Sequence, residues 1–116
     1  MYIKSFQELI VWEKAKELSL MLYPASKKIS DYSYRDQLNR AVLSISNNIA
    51  EGFGRKSRKE FKRFLNISLG STLEVNSMLI IFKELKILSN DLATEALTLV
   101  DKIIGLLIGL ISKIKD

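Results

Sequence analysis

Apolar residues recur along this chain at steps of three and four, the period of a helix that buries one face. In the first segment Val11, Ala15, Leu18, Leu22, Ala25 and Ile29 form one such row, and Ser5-Phe6-Gln7-Glu8 reads as a capping box at its start, so a helix is expected over 6–30. Pro24 lies inside the row; lacking an amide donor, it predicts a kink near Tyr23 or an early end. After a polar linker at 30–33, Leu38, Ala41, Val42, Ile45, Ile49 and Phe53 predict a second helix over 34–53, with Gly52 and Gly54 suited to a left-handed C-terminal cap. The next linker is so short that an antiparallel turn is forced. A second capping box, Ser57 to Glu60, opens a third helix expected over 58–87. Its face is Phe61, Phe64, Ser68, Ser71, Val75, Met78, Phe82 and Leu85. Small residues fill the middle of that face, and Gly70 costs about 1 kcal/mol relative to alanine, so a close helix contact is expected there.

The fourth segment, capped from Ser89-Asn90-Asp91 and expected over 91–115, carries two apolar seams. One is Ala93, Leu97, Val100, Ile104, Leu107, Ile111 and Ile114; the other is Leu92, Ala96, Leu99, Ile103, Leu106 and Leu110. A surface helix of an isolated bundle needs one seam, so the second predicts an interface between copies, at Leu99, Ile103, Leu106 and Leu110. The expected fold class is therefore all-α: an antiparallel up-down four-helix bundle, one domain over 1–116, assembled as a homo-oligomer. One Pro and 5 Gly leave little turn material for an all-β alternative.

The uninterrupted apolar run Ile103–Ile111 is shorter than the roughly 20 residues a bilayer requires, and charges break the N-terminal segment at Lys4, Glu8, Glu13 and Lys14. No membrane partner is expected and a cytoplasmic location is. The small-xxx-small pair Gly105 and Gly109 then reads as an oligomer contact rather than a membrane one.

The sequence contains neither Cys nor His, which removes thiolate and imidazole chemistry: disulfides, cysteine nucleophiles, histidine bases and histidine metal ligands. Glu51, Glu60 and Glu74 invite a carboxylate metal site, but helical-bundle sites of that kind pair Glu with His. The expectation is no catalytic residue, no metal and no cofactor. Arg40, Ser44, Asn47 and Glu51 fall at i, i+4, i+7 and i+11, a polar stripe on the second helix. It suits an RNA-facing strip or a structural network that fixes bundle register, and the structural reading is favoured. Trp12, Tyr23, Phe53, Phe61 and Phe64 lie on or beside apolar seams and read as core, whereas Tyr32 and Tyr34, near a loop, are the candidates for exposed rings.

Charge sharpens the picture. The net charge is +5, and Arg55, Lys56, Arg58, Lys59, Lys62 and Arg63 stand against Glu60 alone, so this stretch carries all of it while the rest of the chain balances. Like charges at i, i+4 cost about 0.2–0.5 kcal/mol each, and cations at a helix start oppose its dipole. A stretch worse for local stability than a neutral one reads as a phosphate-binding site.

The run Arg40-Ala41-Val42-Leu43-Ser44-Ile45-Ser46-Asn47-Asn48-Ile49-Ala50-Glu51-Gly52-Phe53-Gly54-Arg55 resembles a family signature, as do Val11-Trp12 with Lys14-Ala15, and Glu60-Phe61-Lys62-Arg63-Phe64-Leu65 followed by Gly70-Ser71 and Glu74. Together they resemble the four-helix bundle proteins encoded in intervening sequences of bacterial large-subunit (23S) ribosomal RNA genes, and the related accessory variability determinant of diversity-generating retroelements. The resemblance covers residues 5–88, and helix four only through its hydrophobicity. It implies a homopentameric barrel with a basic surface, RNA or DNA as partner, and a reverse transcriptase as partner in the retroelement branch. Ser46 stands where many relatives carry Pro, which straightens the second helix. The expected function is a non-enzymatic, self-assembling adaptor that binds nucleic acid, RNA first; the alternative is a structural or protein-binding oligomer with an acidic protein partner.

Overall fold

The computed structural model describes residues 3–115, and among them are four α-helices, one 3-10 turn and no strand. The helices are α1 (Ile10–Ser26), α2 (Tyr32–Gly54), α3 (Arg58–Glu84) and α4 (Asn90–Lys113). Short polar side chains start three of them. Asp31 Oδ1 accepts from the Tyr34 amide at 3.1 Å, Ser57 Oγ from Glu60 at 3.3 Å and Ser89 Oγ from Leu92 at 3.3 Å. The Asp31 cap starts α2 two residues earlier than its apolar row suggests.

The first capping box does not start α1. Ser5 Oγ accepts from Gln7 and Glu8 Oε2 from the Lys4 amide, closing a 3-10 turn over Phe6–Glu8. Extended Leu9 then turns its side chain into the core, and α1 begins one residue later. At its other end Pro24 is accommodated within the final turn and the helix stops at Ser26, four residues short of expectation. Ile29 is still buried, but from the turn rather than from the helix.

Around the bundle, α2 contacts α1 and α3, and α4 also contacts α1 and α3. Tyr34 stacks on Phe82 at 5.3 Å between ring centroids, Ser44 Oγ meets Ser71 Oγ at 2.8 Å, Ser68 Oγ donates to the Ile45 carbonyl at 2.9 Å, and Gly52 meets Phe64. Residue numbers therefore fall along α3 as they rise along α2. Buried side chains from all four helices, among them Leu18, Leu38, Ile45, Leu65, Leu79 and Ile103, make one continuous core. Three of the hydroxyls caught inside it are satisfied locally: Thr72 donates to the Ser68 carbonyl, Ser46 to Leu43 and Ser26 to Tyr23, whereas the buried Ser19 hydroxyl has no partner among the described residues.

Three expectations about packing are corrected. The core face of α3 is Leu65, Ser68, Thr72, Val75, Leu79 and Phe82. Phe61, Phe64, Ser71 and Met78 are only half-buried, and Leu85 is exposed. The leucines at 65 and 79 rotate the helix away from the row that the aromatics suggest. Gly70 faces open space, so no close contact offsets its cost; the close approach is at Gly52 instead. On α4 one chain's core takes Ala93, Ala96, Leu99, Val100, Ile103 and Leu107, drawn from both seams. Leu99 and Ile103 are thus core residues of a single chain, and of the expected interface only Leu106 and Leu110 remain part-exposed.

Both glycines expected to cap α2 stay helical, and no described glycine has a positive φ. The left-handed positions after α2 and α3 fall to lysines: Lys56 at φ 60° and Lys86 at φ 61°. After α3, Lys86 donates to the Lys83 carbonyl and Ile87 to Phe82, the paired bonds of a Schellman cap formed without glycine.

Among the described residues one helix, α3, is long and apolar enough to cross a bilayer, with 27 residues and a mean hydropathy of 1.3 in its most apolar window. That window is 28% buried inside the chain. Its inner face packs against α2 and α4. Its outer face leaves Leu73, Ile80 and Ile81 exposed.

Two substitutions test this backbone reading with opposite signs. A Cβ on Gly52 would sit 2.6 Å from Phe64 Cβ and 3.3 Å from the Phe61 carbonyl oxygen, so Gly52→Ala should lower unfolding free energy by about 1–3 kcal/mol despite alanine's better helix propensity. Lys86→Gly relieves a left-handed lysine and should raise it by about 0.5–1 kcal/mol. Denaturant unfolding of the two variants reads both; a stabilised Gly52→Ala would contradict the close approach.

Candidate nucleic-acid interface

The six expected cations gather where α2 ends, the chain turns over residues 55–57, and α3 begins. They do not behave alike. Arg55 donates from Nη2 to Glu51 Oε2 at 2.8 Å, one helical turn back. Arg63 grips Glu60 with both arms, Nε to Oε2 at 3.0 Å and Nη2 to Oε1 at 3.1 Å. Both guanidinium groups also lie over the Phe64 ring, Arg55 at 5.2 Å and Arg63 at 4.4 Å from its centroid. Glu51, Arg55, Phe64, Arg63 and Glu60 form one chain of contacts across the α2–α3 joint, with Phe64 anchored against Gly52. Lys62 is half-buried on the first turns of α3, its carbonyl accepting from Asn66 Nδ2.

Lys56, Arg58 and Lys59 differ from the two arginines in the joint. All three are exposed, and among the described residues none makes a side-chain hydrogen bond or a salt bridge. They form the outward-facing charge of the turn. The helix start beside them is less hostile to cations than its sequence suggests. Ser57 satisfies one amide, and the Glu60 carboxylate in the first turn complements the dipole. The hydrogen bond from Arg63 holds Glu60 below the ordinary glutamate range, with the fields of Arg63, Arg55 and Lys59 adding to it. The same bond raises Arg63 above its ordinary value.

The polar stripe of α2 does not act as one unit. Exposed Arg40 pairs with Asp36 at 3.1 Å, Asn47 is exposed, and Glu51 belongs to the joint just described. Only Ser44 reaches another helix, through Ser71, with Asn48 Nδ2 donating to its hydroxyl at 2.9 Å. Glu51, Glu60 and Glu74 do not form a metal-holding group, and no set of three or more acidic residues placed to hold a metal ion occurs among the described residues. Trp12, Phe53, Phe61 and Phe64 are half-buried against the core. Tyr23, expected inside, is exposed near the end of α1, because it follows Lys16 and Leu20 at helical spacing on the outer row of that helix. Sequence reasoning also missed the Phe64 clamp. The Glu60–Arg63 spacing of three gave half the signal for it; the contact of Gly52 with Phe64 has no signature along the chain.

These features define a class: an all-α, four-helix protein with a basic joint between its second and third helices. The chain belongs to the 23S rRNA-intervening sequence protein family, whose family model matches residues 7–109. Comparison with the curated proteins gives no match. Among solved structures, the fold is similar to the crystal structure of a protein of unknown function from the S23 ribosomal protein family of Bacteroides thetaiotaomicron VPI-5482. The TM-score is 0.83 at 23% identity, covering 90% of this chain and 100% of that one, a likeness of fold.

Because the Glu60 carboxyl titrates lower in the folded chain than in the unfolded one, its contribution is fully present above the ordinary glutamate range and is lost as pH falls through its lowered value. Glu60→Gln should therefore flatten the acid limb of a stability-against-pH curve, and NMR titration should place the wild-type Glu60 midpoint below those of exposed glutamates. A midpoint at or above them would contradict the Arg63 bond.

Proposed function

We propose that this chain is a non-catalytic adaptor that binds nucleic acid, RNA by preference, through the joint between α2 and α3. The observation that carries this reading is the division of labour at the joint. Arg55 and Arg63 are held in ion pairs, while Lys56, Arg58 and Lys59 project without carboxylate partners from a turn that holds the whole net charge of the chain. Lysine and arginine arranged this way attract a phosphate backbone and release its counterions. The preference for RNA is supported by the family's name, which ties it to sequences within 23S ribosomal RNA genes.

The reading extends to an up-down antiparallel bundle that assembles with copies of itself in the cytoplasm. The opposed residue order of α2 and α3 supports the first part. Exposed Leu73 and Ile80, seven residues apart on one face of α3, support the second, since exposed apolar surface is characteristic of interfaces. A ring of five is the assembly that the family resemblance implies. In such a ring the basic joints repeat, and a long strand gains avidity by touching several.

Binding should fall steeply with salt, with a logarithmic slope of about −0.7 to −0.9 per phosphate neutralised. The combination Lys56→Gly, Arg58→Gln, Lys59→Gln leaves both ion pairs intact and should reduce that slope by about 2 to 3. Wild-type protein that binds an acidic protein control but neither RNA nor duplex DNA would refute the reading. In light scattering the wild type should be a uniform oligomer, and Leu73→Lys with Ile80→Lys should dissociate it while helicity is retained. A wild-type monomer at micromolar concentration would remove the assembly.

A further inference from the structure

The end of the bundle opposite the basic joint carries two aromatic rings that the fold does not use. Tyr23, in the last turn of α1, is 56% exposed, and Tyr32, the first residue of α2, is 70% exposed. Each ring has a cation over it: Lys27 Nζ is 4.9 Å from the Tyr23 centroid, and Arg35 Cζ is 5.2 Å from that of Tyr32. Tyr34, two residues on, shows the contrast, because its ring is spent stacking on Phe82 at an interplanar angle of 11°.

The nearby acids are already engaged: Asp31 caps α2 and Asp36 pairs with Arg40. Among the described residues Lys27, Lys28 and Arg35 have no carboxylate partner. The turn is also held in place. Asn39 Nδ2 on α2 donates to Ser26 Oγ at 3.1 Å, and that hydroxyl donates to the Tyr23 carbonyl at 2.7 Å, so the backbone bearing Tyr23 is tied to α2.

We propose that this turn is a second contact for nucleic acid, selective for unpaired bases, with Tyr23 and Tyr32 as stacking platforms and Lys27, Lys28 and Arg35 neutralising the adjoining phosphates. It rests on the nucleic-acid reading above and adds what the basic joint lacks. Phe53, Phe61 and Phe64 are half-buried there, so the joint offers charge without an open ring. Charge alone favours the duplex, whose phosphates are denser, whereas an open ring recognises a base only when the base has left its own stack. A cation already held against each ring occupies one face, leaving the other for a base.

The test uses the full chain with a 20-nucleotide unstructured RNA and a duplex of equal length. Tyr23→Ala and Tyr32→Ala should each weaken single-strand binding by about 5- to 100-fold. Duplex binding should stay within twofold, and Tyr→Phe at either position should restore the single-strand affinity. Both rings are exposed, so the alanine variants keep their core; circular dichroism checks this. Single-strand affinity unchanged in both alanine variants, or an equal loss on duplex, would overturn the stacking site while leaving the basic joint standing. Wild-type protein that binds neither probe would overturn both.

Discussion

The distance between α2 and α3 is set where Gly52 meets Phe64. With no side chain at 52, the α3 backbone comes within van der Waals reach of α2, and the Phe61 carbonyl fills part of the space a Cβ would occupy. Everything around the basic joint depends on that spacing. Phe64 is pressed into the gap, so its ring stands between Arg55 from one helix and Arg63 from the other. Each guanidinium also reaches a glutamate three or four residues earlier in the chain, Arg63 to Glu60 and Arg55 to Glu51. Along the rest of the interface, the Ser44–Ser71 and Ser68–Ile45 contacts require the same short separation. The glycine in the run Asn48-Ile49-Ala50-Glu51-Gly52 is thus a packing residue, and the glutamate before it is an electrostatic one.

The joint resolves an apparent conflict in the charge pattern. Six cations in nine residues should repel one another, yet two are neutralised locally by acids placed one turn away and are further held by an aromatic face. Pairs this exposed contribute little to stability. Their effect is geometric: they fix two arginines against the bundle and leave Lys56, Arg58 and Lys59 directed outward.

The helices were legible in the sequence because their apolar rows are long and their caps are short polar side chains at regular offsets. Their ends were less legible. Ser5 and Glu8 form a capping pattern that a 3-10 turn satisfies as well as an α-helix, and only the burial of Leu9 decides between the two. Lys56 and Lys86 occupy positions that propensity assigns to glycine, so tertiary packing overrode the local rule at both turns. The rotation of α3 and the absorption of both α4 seams were hidden for one reason: a helix with apolar residues over most of its circumference does not reveal which part faces inward. The charge cluster was visible as composition, but the contact that holds Arg55 and Arg63 together over Phe64, apart from Lys56, Arg58 and Lys59, depends on side chains from both sides of the turn. Tyr23 was misplaced because a position beside an apolar row can still belong to the outer face, here the one it shares with Lys16 and Leu20.

The three-residue connection between α2 and α3 also bears on the order in which the chain acquires its structure. Closing a loop costs entropy that rises with its length, so neighbouring helices joined by a minimal turn meet early. The pair brings its own specific contacts, Gly52 on Phe64 and Ser44 on Ser71, before α1 or α4 is needed. The α2–α3 hairpin is on these grounds the natural folding nucleus. Substitutions at Gly52 would then act mainly on the folding rate, while those at Leu99 or Ile103 in α4, outside that hairpin, would act mainly on the rate of unfolding.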